Sequence, residues 1–498
     1  MTQTGNAAPL PSGQAPFTGG DQRPPGELVR SLTHRQTTMI GLGCALGTGL
    51  FLGSGSAIGI AGPAVILSYI AGAVLVAIIA RVLGAMTIAH PVRGTFGTIA
   101  HLYLGPWAGF LVRWLFWAGT TVAIGGEVVA AAIYIRYWWP QAPMLLLIAA
   151  VAALVLAVNL FSVGSFGLAE FWLSSVKVTA VVVFIAAGLL LVFAGLPHTP
   201  AAGLGNLTSG GGFFPNGPTA VWTALSVVMF AFVGFETVSI SAAETADPAR
   251  SIRTAMRALI WRLGLFYILS IGLIVTLVPW RDVAGGDGGV DGSPFVHVFT
   301  QVGIPAAASL TNAIVLIAAI SSANAQLYAA SRFLDSLGHD GCAPAALARL
   351  SRRGVPVRAL LVSAVGIVAA ALLAAFKVNS VFNLLVSVAI FSVLLVWLLI
   401  LAAYLAFRRS AQPAAPQDLR VPGGAWTAWA GIAGVLAVAS TAAVVPVMAQ
   451  AAWVGSGFTL ALLLVYALKV RHVMRRDVPV APNEEAGDPD PQEAPRVR

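Results

Sequence analysis

The sequence predicts an all-α membrane protein of about twelve transmembrane helices, and three observations carry that reading. The first is composition: 58% of the 498 residues are hydrophobic and 9% are charged, against about 25% charged in a soluble domain. A water-facing surface cannot be built from that supply. The second is clustering, because the charges leave uncharged runs at 36–80, 137–169, 178–235, 292–331, 359–376, 378–407 and 421–468. A helix crosses the hydrocarbon core with roughly 20 residues, so the longer runs hold two crossings each. The third is the placement of the 28 Lys and Arg residues. With a cytoplasmic start, only Arg136, Arg281 and Lys377 fall outside, Lys177 lies within a span, and the rest collect in cytoplasmic segments or at cytoplasmic helix ends. This is the positive-inside bias, and it puts both termini in the cytoplasm. A soluble enzyme, a secreted disulfide scaffold and a peripheral membrane protein are excluded. The net charge of +9 is orientation chemistry rather than a nucleic-acid footprint.

Taken in order, crossings are expected near 38–61, 63–89, 105–135, 143–163, 170–194, 218–242, 258–279, 303–335, 357–376, 379–407, 424–449 and 453–470. Residues 1–30 and 473–498 are rich in Pro and polar residues and read as disordered cytoplasmic tails. Residues 31–410 form a core of ten spans, and 411–472 add the last two. The first apolar run is too long for a cleavable signal peptide and is expected to stay as an anchor. Cys44 and Cys342 fall in the first span and in a cytoplasmic loop, so no disulfide is implied. The seven histidines show no close metal-ligand spacing, and no metal or other cofactor is expected. No nucleophile and base occur together, which argues against an enzyme.

Span one carries glycine at 41, 43, 47, 49, 53 and 55. One reading is close contact between helices through small-xxx-small spacing. The other is an interruption at Gly47-Thr48-Gly49, since glycines flanking a threonine let the backbone leave helical dihedrals. Lipid cannot satisfy the freed amides and carbonyls, so a break at this depth is tolerated only where it lines a cavity. Span six holds a second candidate break in Phe230-Ala231-Phe232-Val233-Gly234-Phe235-Glu236. Spans one and six open successive groups of five, and interrupted helices at corresponding ranks point to a 5+5 inverted repeat with a site between them. The repeat rests on these two segments.

Few charges remain at depth: Lys177 in span five, Glu236 in span six and Glu127 in span three. A buried charge costs at least about 2.5–3.5 kcal/mol on insertion scales, which makes each a functional candidate. With span five leaving the cytoplasm near Glu170, Lys177 lies roughly 10 Å in, level with Ala45 and the break in span one. The chain uses Arg 25 times and Lys only at 177, 377 and 469. Arginine keeps its proton in proteins, whereas a desolvated lysine can release it. The choice of lysine suggests a proton switch; a permanently charged brace for span one is the alternative.

A set of motifs resembles the amino acid transporter family of the amino acid–polyamine–organocation superfamily. They are Gly43-x-x-x-Gly47-Thr48-Gly49-Leu50-Phe51, Gly62-Pro63, Pro91-Val92 with Gly94, Tyr103-Leu104-Gly105-Pro106, Glu170-Phe171-Trp172 with Lys177, and Gly234-Phe235-Glu236 with Ala243-Glu244 and Asp247-Pro248. Ser293-Pro294-Phe295, Ser321-Ser322-Ala323-Asn324, Ser331-Arg332 and Gly354-Val355-Pro356 continue them, collinear over roughly 30–410. The resemblance implies a plasma-membrane amino acid importer working by proton symport and alternating access, with spans 1, 2, 6 and 7 moving against 3, 4, 5, 8, 9 and 10. It implies a monomer or weak oligomer in the lipid bilayer, with an amino acid and protons as partners and no nucleic acid. An obligatory exchanger stays open, as does a membrane sensor, although the tails carry no recognisable signalling module.

Carried over residue by residue, the resemblance puts a substrate α-carboxylate on the Thr48 and Gly49 amides and the Thr48 hydroxyl, beside Gly47. The α-ammonium would meet the carbonyls of Ala45, Phe230 and Val233, next to Gly234. Phe230 would be an aromatic lid, or else a packing or lipid-facing ring. In related transporters the fifth-span lysine stands where sodium-coupled relatives bind an ion, which makes Lys177 the expected proton-coupling group. Glu127 could face the substrate side chain, join proton coupling, or bond to neighbouring backbone. Glu236 reads as a scaffold for span six or a partner of Lys177. Ser321 and Ser322 could line the Lys177 region or pack helices, and packing is the default for Trp397. Departures from the family pattern fall at Ala85, Gly119 and Leu168, where many relatives carry glutamate, and at Arg253, where they carry proline. The loss at 119 argues mildly against a dedicated cationic substrate.

Overall fold

A computed structural model of the protein describes residues 32–161, 163–195, 200–242, 244–245, 247–284, 293–301, 305–376, 381–410 and 421–471. The expected tails and Lys377 lie outside the described residues. Within them the chain is all-helical, and its β-structure amounts to one isolated bridge between Leu32 and Thr245.

The helices run α1 (His34–Ala45), α2 (Thr48–Phe51), α3 (Gly53–Ala61), α4 (Val65–Ala89), α5 (Thr95–Leu104), α6 (Pro106–Ile135), α7 (Met144–Leu160), α8 (Val163–Phe193) and α9 (Thr219–Phe232). They continue as α10 (Thr237–Ala242), α11 (Pro248–Leu277), α12 (Pro294–Gln301), α13 (Pro305–His339), α14 (Val357–Ser363), α15 (Val365–Ala375), α16 (Val381–Arg409), α17 (Ala425–Ala439) and α18 (Pro446–Val465). Ten helices are long and apolar enough to cross a membrane, Met144–Leu160 is a shorter apolar one, and the run Gly53–Ala89 joins the second half of span one to span two. That accounts for twelve crossings among the described residues. Span one is α1 to α3, span six is α9 and α10, and span nine is α14 and α15.

Local chemistry fixes the ends. Thr33 and Gln36 form a reciprocal capping box at the start of α1, the Gln36 amide donating to Thr33 Oγ1 at 3.3 Å and the Thr33 amide to Gln36 Oε1 at 2.9 Å. Asp247 caps α11 by accepting from the Arg250 amide at 3.1 Å, with Pro248 in the first turn. Proline likewise opens α6, α12, α13 and α18. Pro446 moves the boundary between the last two spans ahead of the expected 449–453. Two short helices, α5 and α12, lie where only connections were expected.

Three boundaries depart from expectation in a way that matters. Span five begins at Val163, not near Glu170. Span seven begins at Pro248 and carries Arg250, Arg253 and Arg257 on its N-terminal extension. Span eight runs to His339. Helices of about 30 residues at 1.5 Å per residue reach well past a hydrocarbon core of roughly 30 Å, so these three carry polar contacts beyond it.

Spans three and eight, α6 and α13, pack on one another along their length, and α16 packs on α6. The broken spans one and six lie against this scaffold, α1 touching α8, α11 and α13, and α3 touching α9. α17 and α18 stand at the periphery and turn Trp426, Trp453, Leu460 and Leu464 outward.

Candidate functional site

Both proposed breaks are present. α1 ends at Ala45, Gly47 is extended (φ −103°, ψ −162°), and α2 restarts at Thr48. α9 ends at Phe232, Val233 is extended, Gly234 has φ +112°, and α10 restarts at Thr237. The two readings of the span-one glycines both hold, because each glycine is also a contact point. A Cβ on Gly41 would lie 2.2 Å from Val238, one on Gly43 1.9 Å from Ser174 Oγ, one on Gly47 2.6 Å from Ser322 Oγ, and one on Gly49 2.6 Å from the Ala231 backbone. Span one therefore approaches spans six, five and eight through successive glycines. Gly234 returns the approach, its missing Cβ falling 2.9 Å from the Cys44 backbone.

On the α1 side of the break, Lys177 is fully buried and donates to the carbonyl of Gly43 and, at 2.8 Å, to Ser321 Oγ. Its ionic partner is Glu170, 3.9 Å away and also fully buried. Glu170 accepts further bonds from Ser174 at 3.1 Å, from Asn324 at 3.3 Å, and from Ser321. Asn324 in turn accepts from Asn159 at 2.6 Å. A helical repeat of 3.6 residues puts positions 170, 174 and 177 on one stripe of α8. That spacing is visible in the sequence, but a charge at the end of an apolar run reads as the edge of a span, which hides Glu170. Its charge is tolerated at depth because it is paired and hydrogen-bonded.

Glu236 faces elsewhere. It accepts from the Gly234 amide at 2.9 Å and from the Trp397 indole at 2.5 Å, so it splints the break in span six and is not bonded to Lys177. The option of Glu236 as partner of Lys177 is corrected by this geometry. Trp397, fully buried, is a polar contact as well as packing.

At the break in span one, the Thr48 amide donates to Glu127 Oε2 at 3.3 Å. Ser322 donates to Glu127 Oε1 at 2.9 Å, and Gln326 reaches the same oxygen at 3.4 Å. The Ala45 carbonyl accepts from the Gly47 amide at 2.9 Å and lies 2.6 Å from the Tyr267 hydroxyl, which is equally close to the Ala231 carbonyl. The Phe230 carbonyl accepts from the Val233 amide at 3.1 Å. The Phe230 ring is buried over Gly49, 6.3 Å from Phe382, so it is not lipid-facing. Tyr267 and Gln326 escaped the sequence reading: each is one polar residue in a long helix, and nothing local marks it.

At the end of the bundle where α1 begins, Glu244 binds Arg332 Nε at 3.0 Å and the Tyr328 hydroxyl at 2.6 Å, Arg332 lies 4.0 Å over the Tyr328 ring, and Tyr328 stacks on Phe166 at 4.3 Å. The amide of Leu32 donates to the Glu244 carbonyl at 3.1 Å. Spans five, six and eight and the start of span one are thereby tied together on this side.

A multi-pass bundle whose first and sixth helices break against each other, with backbone groups and buried ionisable side chains at the breaks, has the build of a secondary transporter. Comparison of the sequence with known proteins gives the family. The amino acid permease family profile matches residues 36–479, and the chain belongs to that family. It is 38% identical over 394 residues to a gamma-aminobutyric acid permease of Bacillus subtilis, covering 79% of this chain and 83% of that one. It is 39% identical over 386 residues to the aromatic amino acid transport protein AroP of Escherichia coli, covering 78% and 83% respectively. An uncharacterized amino acid permease of Bacillus subtilis, YtnA, is 37% identical over 395 residues, covering 79% and 84%. The protein is an amino acid transporter and not an enzyme.

Proposed function

We propose that the protein imports amino acids across the plasma membrane by proton symport, with both termini cytoplasmic and with spans 1, 2, 6 and 7 moving against spans 3, 4, 5, 8, 9 and 10. The observation that carries the reading is the bond from Lys177 to the Gly43 carbonyl, joining span five to the broken first span beside Glu170 and Ser321. Loss of a proton from that ammonium weakens its bonds to span one, and its return restores them. Conformation is thus linked to proton occupancy.

The substrate is read as a zwitterion. Backbone amides at the start of α2 favour a carboxylate, and carbonyls at the ends of α1 and α9 favour an ammonium. Thr48 and Gly49 are assigned to the former, with Gly47 letting the group approach. Ala45, Phe230 and Val233 are assigned to the latter, with Gly234 shaping the turn. The names of the two characterised relatives point to gamma-aminobutyrate and to aromatic amino acids. Both carry a carboxylate and an ammonium, and the reading commits to that pair rather than to one side chain.

The test is uptake into liposomes holding the purified protein. With the outside made acidic, labelled amino acid accumulates above its equilibrium level in wild type and not in Lys177→Ala. Lys177→Arg does not restore accumulation, since arginine holds its proton. Uptake that ignores the pH gradient and requires internal substrate would establish exchange instead.

A further inference from the structure

Glu127 is 2% exposed and lies across from the break in span one. Its Oε2 takes the Thr48 amide, while Oε1 takes Ser322 and Gln326. A Cβ on Gly47 would sit 2.7 Å from Oε1, so the carboxylate is pressed against the bare backbone of the break. A backbone N–H has one proton to donate. Two carboxylates at that amide would also repel.

We infer that Glu127 is an internal occupant of the substrate-carboxylate seat, holding the Thr48 amide until an incoming carboxylate displaces it. This rests on the reading of Thr48 given above. It makes Glu127 a specificity-determining residue, because a ligand with an ammonium and no carboxylate has no need of that amide.

Displacement is easiest when Glu127 takes up a proton from water. The neutral carboxyl no longer repels the newcomer and becomes a donor. A receiver is at hand: Gln326 Oε1 is buried and has no hydrogen-bond partner among the described residues, and rotation of that amide presents it to the carboxyl proton. One proton is thus bound at Glu127 for each carboxylate seated at Thr48. The ionisable groups coupled to Glu127 are Lys177 from α8, with Glu170 and Cys44 behind it, Tyr267 from α11, and Tyr134 from its own helix. α13 faces it with Ser322 and Gln326. Around the neighbouring glycines of α6, α15 brings Gly366 and Ala370, and α16 brings Phe382 and Leu385.

The test compares each of L-alanine, L-phenylalanine and gamma-aminobutyrate with its own amide, by calorimetric binding to the purified protein between pH 5 and 8. In wild type the acids lose affinity above the Glu127 transition by about tenfold per pH unit, the slope of one-proton linkage, relative to their amides. In Glu127→Gln the acid-against-amide difference in slope disappears. Equal slopes for acid and amide in wild type overturn the inference, and that comparison needs no variant. Retention of the difference in Glu127→Gln overturns it too. Failure here with gradient-driven uptake intact removes the role of Glu127 alone. Absence of binding by any of the three acids removes the zwitterion reading, and this inference with it.

Discussion

Replacing Lys177 by methionine leaves Glu170 fully buried with three hydrogen-bond donors and no counter-charge. Breaking a buried pair from one side costs about 3–5 kcal/mol. Ser174, Ser321 and Asn324 still donate to Glu170, which places the loss toward the lower end of that range. Glu170→Gln alone leaves the ammonium with the Gly43 carbonyl and Ser321, a loss of similar size. The double variant removes both charges, and glutamine still offers an oxygen to Ser174, Ser321 and Asn324. Its loss is expected to fall below the sum of the single losses by at least about 2 kcal/mol, a coupling of the size contacting groups show. Apparent Tm in detergent at one scan rate, measured for the four proteins of the cycle, reads this directly. Additive shifts would refute the pairing of Lys177 with Glu170.

Other consequences follow from single positions. Gly234→Ala places a Cβ 2.9 Å from the Cys44 backbone at φ +112°; strain and overlap together are expected to cost at least about 2 kcal/mol. Gly457→Ala, with nothing within 4 Å, serves as its control and is neutral or slightly stabilising in the same thermal assay. Trp397→Phe removes the indole bond to Glu236 and leaves a buried carboxylate short of a donor, lowering apparent Tm by more than a lipid-facing Trp453→Phe. Burial pushes the Cys342 thiol up from 9.0 to about 11. The thiolate is the reactive form and becomes more abundant as pH rises, so maleimide labelling of unfolded protein at pH 7.5 should outpace that of folded protein about a hundredfold at this cysteine.

The fold was legible because charge scarcity and basic-residue asymmetry act along the whole chain. Gly47-Thr48-Gly49 and Gly234 announced the breaks because few other residues serve there. Lys177, Glu236 and Glu127 stood out as charges in apolar runs. Glu170 was hidden by the same logic, since a charge at the edge of a run looks like a boundary. Its burial depends on Asn324 and Ser321, which arrive from more than 140 residues away. Tyr267 and Gln326 were silent for a related reason: their partners are backbone and side chains of other spans. α5 holds no Asp, Glu, Lys or Arg and is only ten residues long, so its sequence reads as a connection.

The central claim is that proton movement and amino acid movement are one event dependent on Lys177. A zwitterion carried with a proton moves net positive charge. Currents recorded from proteoliposomes on a solid-supported membrane are therefore expected on addition of a substrate amino acid to wild type, enlarged when the outside is acidified. In Lys177→Ala they are expected to vanish while equilibrium exchange of labelled substrate continues. Substrate-dependent uptake in wild type with no current at any pH, or undiminished current in Lys177→Ala, would contradict the account.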